Sequence, residues 1–216
     1  MKPLYRLFPL LFACASLPAF ALGEAGQARL HQLQERWAEI HYQLPEKQRE
    51  TAFAALAGEA GKALADEPKA AELHIWRGII LSTWAGAKGG LGALDLVKQA
   101  KAELEQALAL DPAALDGSAY TSLGSLYYQV PGWPLGFGDD AQAELLLKKA
   151  LALNPDGIDP NYFYGDFLRR QKRYPEARAA LEKALAAPDR PDRASADAGR
   201  RAEIRRLLAE VKENME

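Results

Sequence analysis

Residues 100–112 read AKAELEQALALDP, and residues 143–155 read AELLLKKALALNP. Both stretches place an alanine, a leucine, a second alanine and a proline at the same spacing, which in the first stretch falls on Ala100, Leu104, Ala107 and Pro112. Small alanines let two helices approach closely, leucine fills the groove between them, and proline ends the helix. Each stretch is therefore predicted to be the second helix of a tightly packed antiparallel pair.

The same pattern recurs elsewhere in the chain. It returns in residues 177–188, where the proline comes early, and in degenerate form in residues 56–68. The helix ahead of each stretch carries matching residues, at Tyr120, Leu123, Gly124 and Tyr127, at Asn161, Tyr164, Gly165 and Leu168, and more loosely at Trp76, Ile79 and Ile80. Gly124 and Gly165 are expected to face the first alanine of the second helix. A repeated pair cannot bury its apolar face alone, so neighbouring pairs must stack.

These paired helices resemble the tetratricopeptide repeat (TPR) family over residues 24–188. The resemblance implies an all-α, tetratricopeptide-like α-solenoid of about four antiparallel helix pairs plus a C-terminal capping helix. The predicted organisation is a signal peptide at 1–21, a degenerate helix pair at 22–69, TPR-like repeats at 70–188 and a linker with the capping helix at 189–216. The cap is expected to bury Ile204, Leu207, Leu208 and Val211.

The first residues have the pattern of an export signal. Lys2 and Arg6 precede an apolar run that ends at Leu17, and small residues stand at Ala19 and Ala21, where a signal peptidase reads them. The run is shorter than the roughly 20 residues that cross a bilayer, so no membrane span is predicted. We expect cleavage after Ala21 and a periplasmic or secreted protein. The alternative is a lipid anchor on Cys14, whose preceding residues depart from the usual lipobox.

Charge and motif content exclude several functions. The chain has 27 basic and 29 acidic residues and a net charge of −2, which gives no basic surface for nucleic acid. The three histidines, at positions 31, 41 and 74, are too scattered for a zinc site. The glycine run at 89–92 lacks both the strand of a dinucleotide fingerprint and the Gly-Lys-Ser/Thr of a P-loop. No catalytic residue, metal or cofactor is predicted.

Two neighbouring repeats carry extra residues between their first and second helices. The first insertion, residues 85–92, reads AGAKGGLG, and the second, residues 130–140, reads VPGWPLGFGDD. Stacking places both on one edge of the solenoid. Flexible linkers are poor in tryptophan and phenylalanine, so the second insertion should be ordered.

Two interpretations of the insertions stay open. In one, Trp133 and Phe137 fold back over the helix ends, Gly136 and Gly138 adopt positive φ, and Asp139 caps the next helix. In the other, the two insertions form a pocket or lip. Lys88 is then expected to pair with Asp139, Asp140 or an anionic ligand.

A second candidate surface is the concave face. Alignment of the first helices places on it His74, Arg77, Leu81 and Trp84, then Ser118, Thr121, Ser125 and Tyr128, then Asp159, Tyr162, Asp166 and Arg169. Packing is an equally good interpretation of Trp84 and Tyr128. The candidate binding residues from both surfaces are Arg77, Trp84, Lys88, Tyr128, Trp133, Phe137, Tyr162 and Arg169.

The export signal, the TPR-like pairs and the stretch at residues 131–139 before an AELL helix start are, in combination, similar to T-component proteins of tripartite ATP-independent periplasmic transporters. That resemblance implies a periplasmic solute-binding protein as partner. The sequence thus favours an exported, non-catalytic TPR scaffold that binds a protein or peptide. The alternative is a small-ligand-binding or transporter-accessory protein that uses the paired insertions.

Overall fold

The computed structural model describes residues 22–216, and the predicted signal peptide and Cys14 lie outside this range. Within it the chain forms nine α-helices, a short 3-10 helix at Pro191–Arg193 and no strand. The α-helices are α1 (Glu24–Tyr42), α2 (Glu46–Asp66), α3 (Ala71–Lys88), α4 (Ala93–Leu110), α5 (Ala114–Gln129), α6 (Asp140–Leu153), α7 (Ile158–Arg170), α8 (Tyr174–Leu185) and α9 (Ala194–Glu213). None of these helices has the length and apolarity that a membrane crossing requires.

Sequence-adjacent helices pack as antiparallel pairs, and the pairs stack, which confirms the predicted solenoid. The alanines and leucines of the repeated pattern in α4, α6 and α8 are fully buried. The glycines of the first helices allow this approach, because a Cβ on Gly124 would lie 2.9 Å from Leu147 Cγ and one on Gly165 would lie 2.7 Å from Leu181 Cγ. The glycines therefore face the leucine of the second helix, and a Cβ on Gly124 would also lie 3.3 Å from the carbonyl oxygen of Ala143, in line with the predicted contact with the alanine.

Gly78 is the third member of this set. A Cβ there would lie 2.7 Å from Leu104 Cγ, as at the other two glycines. The sequence alignment used Trp76 as the landmark of α3 and so placed this helix out of register. Consequently, the residues that α3 turns to the concave face are Trp76, Ile79, Ser82 and Thr83 instead of His74, Arg77, Leu81 and Trp84.

The last helix does more than cap the solenoid. The apolar side of α9 is buried as predicted, through Ile204, Leu207, Leu208 and Val211. Its opposite side reaches α1, where His41 Nε2 lies 3.3 Å from Glu203 Oε1. Gly199 lies so close to the Tyr42 ring that any Cβ would overlap it. The first and last α-helices of the described range thus meet, and α9 closes the concave face.

Helix α5 begins with a left-handed turn. Leu115, Asp116 and Gly117 have φ values of 48°, 54° and 76°. Only glycine adopts this region readily, so the turn is strained at the first two positions. The glycine is also required sterically, because a Cβ on Gly117 would lie 2.7 Å from Leu153 Cδ1.

Candidate functional site

The concave face encloses a cleft of about 490 Å³, which we call the central cleft. The first helices of the pairs form its walls, and α9 with the segment before it forms its remaining side. Its lining includes Trp37, Trp76, Ile79, Thr83, Ser118, Thr121, Ser122, Ser125, Ile158, Asp159, Phe163, Arg190, Arg193 and Arg200. Neither insertion contributes a residue to this lining.

One wall of the central cleft is rich in hydroxyl groups that donate their protons to backbone carbonyls. Ser118 Oγ donates to the carbonyl oxygen of Leu115 at 2.7 Å, and Ser125 Oγ donates to that of Ser122 at 2.8 Å. Thr83 Oγ1 donates to a carbonyl of its own helix and accepts a hydrogen bond from Trp37 Nε1. Since these hydroxyl protons point into the helices, the remaining lone pairs of the oxygens are available as acceptors.

The opposite wall holds three arginines, of which two are neutralised. Arg190 binds Asp159 and Asp197, and Arg200 binds Asp159 and Glu203. Burial by itself raises the pKa of Asp159, but Arg200 and Arg190 outweigh burial and bring that pKa down to about 2. Asp159 therefore stays charged and helps to hold both guanidinium groups in place.

The third arginine, Arg193, has a different environment. Its guanidinium lies over the Trp76 ring, 4.7 Å from the ring centre, in a cation–π contact. Within residues 22–216, no carboxylate lies at ion-pair distance from it. Burial lowers the pKa of Arg193, the neighbouring Arg190 lowers it further, and Asp159 and Asp197 offset only part of this effect. This side chain carries a partly desolvated charge that makes no direct ion pair, although the carboxylates of Asp159 and Asp197 lie near enough to act on it.

The second insertion is ordered, as expected from its composition. Gly138 N donates to the carbonyl oxygen of Pro131 at 3.0 Å, and Asp139 N donates to that of Tyr127 at 2.8 Å. Asp139 Oδ1 accepts hydrogen bonds from the first backbone amides of α6, which confirms the predicted cap.

The expected positive φ at Gly136 and Gly138 is wrong, because neither residue is in the left-handed region. Both glycines are needed for close approach instead. A Cβ on Gly136 would lie 2.5 Å from the carbonyl oxygen of Pro131, and one on Gly138 would overlap that of Val130.

The two aromatic residues of this insertion differ in environment. Phe137 folds back, with its ring edge-on to Tyr127 at 5.4 Å and Lys101 Nζ of α4 5.7 Å from its centre. Trp133 projects outward with 90% of its surface exposed, and Leu135 beside it is 62% exposed. The interpretation in which both aromatic residues cover the helix ends therefore holds for Phe137 and fails for Trp133.

The first insertion mostly prolongs α3, which continues to Lys88. The remaining turn uses positive φ at Gly89 and Gly90 and leaves Leu91 80% exposed. Lys88 Nζ lies 3.1 Å from Glu50 Oε1 of α2, so its predicted pairing with Asp139 or Asp140 is wrong. We call residues 85–92 and 130–140, which the stacking of neighbouring repeats is expected to bring to one edge, the insertion edge.

The remaining candidate residues are engaged within the fold. Arg77 binds Glu103 of α4, and Trp84 is half-buried with its indole nitrogen enclosed. Tyr128 is buried and donates a hydrogen bond to Asp166 Oδ2 at 2.9 Å.

Two further candidates lie against α9. The Tyr162 ring lies beneath the guanidinium of Arg200, 4.2 Å away, and Arg169 binds Asp166 and Glu210. Trp76 and Arg193 were not among the residues predicted from the sequence, although Gly78 would have given the register that brings Trp76 to the concave face.

Comparison with known proteins agrees with this geometry. The family model described as "Tetratricopeptide repeat" matches residues 135–199. The crystal structure of a thermophilic TPR protein from Thermus thermophilus superimposes with a TM-score of 0.60, at 24% sequence identity, over 88% of this chain and 82% of that one. No curated protein matches the sequence. In the part of the chain that the structure describes, no His, Cys, Asp and Glu side chains group as metal ligands.

Proposed function

We propose that this chain is an exported, non-catalytic scaffold that binds a protein partner in the periplasm. The tetratricopeptide repeat match and the solenoid fold support the scaffold role. The TPR fold suggests protein partners, and the export-signal pattern predicted from the sequence of residues 1–21 supports the periplasmic assignment. We assign the binding surface to the insertion edge rather than to the concave groove.

The observation that carries this assignment is the exposure of Leu91, Trp133 and Leu135. They are the three most exposed large hydrophobic side chains of residues 22–216, and all three belong to the insertion edge. Isolated exposed leucines are common, but apolar residues grouped on one edge mark interaction surfaces. Tryptophan in particular is frequent among the residues that dominate binding energy.

The order of the second insertion strengthens the assignment. Its backbone hydrogen bonds, its Asp139 cap and the packing of Phe137 fix the backbone from which Trp133 projects. A side chain presented by a rigid loop loses less conformational entropy on binding than one on a mobile loop. The concave groove is less suitable for an extended peptide, because α9 crosses from α7 and α8 to α1 and occupies one side of it.

The transporter-accessory alternative uses the same edge. The features that resemble T-component proteins include residues 131–139, which present Trp133, so a periplasmic solute-binding protein is the partner that this alternative proposes. It differs from the general scaffold only in the identity of the partner. Co-elution of the mature chain with a purified solute-binding protein from the same periplasm tests it directly.

The main experiment captures partners of the tagged mature chain from periplasm. We expect the double variant Trp133→Ala with Leu135→Ala to lose the captured protein while it keeps the wild-type melting temperature. Leu145→Ala is the matched control, since Leu145 is also exposed but lies on α6 outside the insertion edge. Equal capture by all three proteins would exclude the insertion edge as the binding surface.

Export is tested separately by intact mass. We expect the protein isolated from cells to begin after Ala21. A lipid-modified Cys14 at the N-terminus would contradict this cleavage and would place the scaffold on a membrane surface instead.

A further inference from the structure

We propose that the central cleft binds a small organic monoanion, and that Arg193 contacts its charged group. This proposal goes beyond the scaffold function, because it concerns the concave face and not the insertion edge. It starts from the one cleft arginine that the described part of the chain leaves without a carboxylate.

The charges around the cleft determine the expected charge of the ligand. Asp159 lies between Arg190 and Arg200 and binds both, and Asp197 and Glu203 complete their neutralisation. Arg193 lies over the face of Trp76 and makes no ion pair, so Asp159 and Asp197, which bind the other two arginines, compensate its charge only from a distance. Desolvating a cation is costly unless an anion compensates it, so an anionic group beside Arg193 would be favourable.

A second negative charge on the ligand would be unfavourable. Two further carboxylates, Asp116 and Asp156, line the cleft. Asp156 is paired with Lys183 outside the cleft, and Asp116 is exposed at the left-handed turn. One unpaired cation facing an otherwise balanced or acidic lining favours a monoanion over a dianion such as phosphate.

The walls determine the uncharged part of the ligand. One side of the cleft is apolar and includes Ile79, Ile158 and Phe163. On another side lie the hydroxyl oxygens of Ser118 and Ser125, which can accept hydrogen bonds because their protons are donated to backbone carbonyls. A ligand body that is partly apolar and carries hydrogen-bond donors satisfies both sides. The volume of about 490 Å³ is within the range of small-molecule sites.

The backbone beside the cleft is consistent with a site. Leu115 and Asp116, in the strained left-handed turn, both line the cleft. Strained backbone of this kind occurs preferentially near binding sites, where the surrounding structure maintains it for function. Most of the lining side chains are half-buried, so water and small solutes reach the cleft.

The test uses pairs of probes that differ in charge. Isothermal titration of the mature chain compares 4-hydroxybenzoate with 4-hydroxybenzamide, and gluconate with glucose. Inorganic phosphate in mildly alkaline buffer, where most of it carries two charges, is the dianion arm. We expect one acid to bind at least about tenfold more tightly than its neutral counterpart and than phosphate. The better acid identifies whether an aromatic or a polyhydroxylated body fits the walls.

Variants assign the charged contact. We expect Arg193→Gln to weaken binding of the better acid at least about tenfold, and Arg193→Lys to retain part of it. Arg201→Gln is the matched control, because Arg201 is close in sequence, on α9, but pairs with Asp189 and the carbonyl of Ala187. Melting temperatures of all variants establish that they are folded.

Several outcomes would overturn the proposal. If no acid binds the wild-type chain at millimolar concentration, Arg193 has only a packing role on Trp76. If acid and neutral probes bind equally, the cleft is an uncharged site. If Arg201→Gln weakens binding as much as Arg193→Gln does, the effect is a general loss of positive charge. If the Trp133→Ala, Leu135→Ala variant loses partner capture but still binds the acid, the two functions use different surfaces and the two proposals are tested independently.

Discussion

Replacing Gly165 with alanine should destabilise the protein, although alanine is the better helix former. The added Cβ would lie 2.7 Å from Leu181 Cγ and 2.9 Å from Leu181 Cδ2, where carbon atoms prefer about 3.5–4.0 Å. Leu181 is fully buried and cannot move aside without displacing its neighbours. Overpacking of this kind costs about 1–3 kcal/mol.

The helical preference for alanine offsets part of that cost. Gly to Ala in a helix contributes about 0.5–1 kcal/mol of stability, so the net loss expected is about 1 kcal/mol. For a chain of this size, that corresponds to a fall in melting temperature of about 2–4 °C.

Gly58 provides the control, because it lies in the interior of α2 and a Cβ there meets nothing within 4 Å. The same substitution at Gly58 should raise the melting temperature by about 1–4 °C. Thermal unfolding followed by circular dichroism compares the two variants. A Gly165→Ala protein as stable as the Gly58→Ala protein would refute the close-packing argument for all three glycines.

Three further predictions concern individual contacts. Asp139→Ala removes the cap of α6 and should cost about 1 kcal/mol in chemical denaturation, whereas Asp139→Asn should cost less, and equal losses would contradict a capping role. Phe137→Ala should lower the melting temperature and Trp133→Ala should leave it unchanged, because only Phe137 packs against the solenoid; equal effects would contradict the two environments. The pKa of Asp159 is lowered from 3.8 to about 2, so its ion pairs should stabilise the fold above pH 4 and lose that contribution as the pH falls towards 2. The difference in stability between wild type and Asp159→Asn should therefore shrink over this interval, and a constant difference would contradict the assignment.

The helix pairs could be predicted from sequence because their packing depends on local, repeated residues. Ala100, Leu104 and Ala107 recur at fixed spacing, and a small residue facing a leucine has few structural alternatives. The cap at Asp139 was predictable for the same reason, since it depends on residues adjacent in sequence.

The binding surface was harder to predict, because it depends on register and on distant parts of the chain. Gly78 sets the register of α3, whereas the more conspicuous Trp76 of the same helix suggests a different register. Which of Trp133 and Phe137 folds inward depends on whether a neighbouring helix offers a surface, and only Phe137 meets Tyr127 and Lys101. Arg193 reaches Trp76 through the curvature that successive repeats accumulate, and no short stretch of sequence encodes that curvature.

The contact between α1 and α9 also has a kinetic consequence. In an open repeat array each unit touches only its neighbours, so the array can form from one end and fray from either end. Here His41 and Tyr42 of α1 find their partners on a helix near the end of the chain. Whenever the chain becomes available N-terminus first, the N-terminal pair must therefore wait, with this side exposed, until α9 is free to pack against it. Once α1 and α9 are in contact, neither of these helices can detach from the array without breaking that contact. Spontaneous opening of the array should therefore begin with separation of α1 from α9.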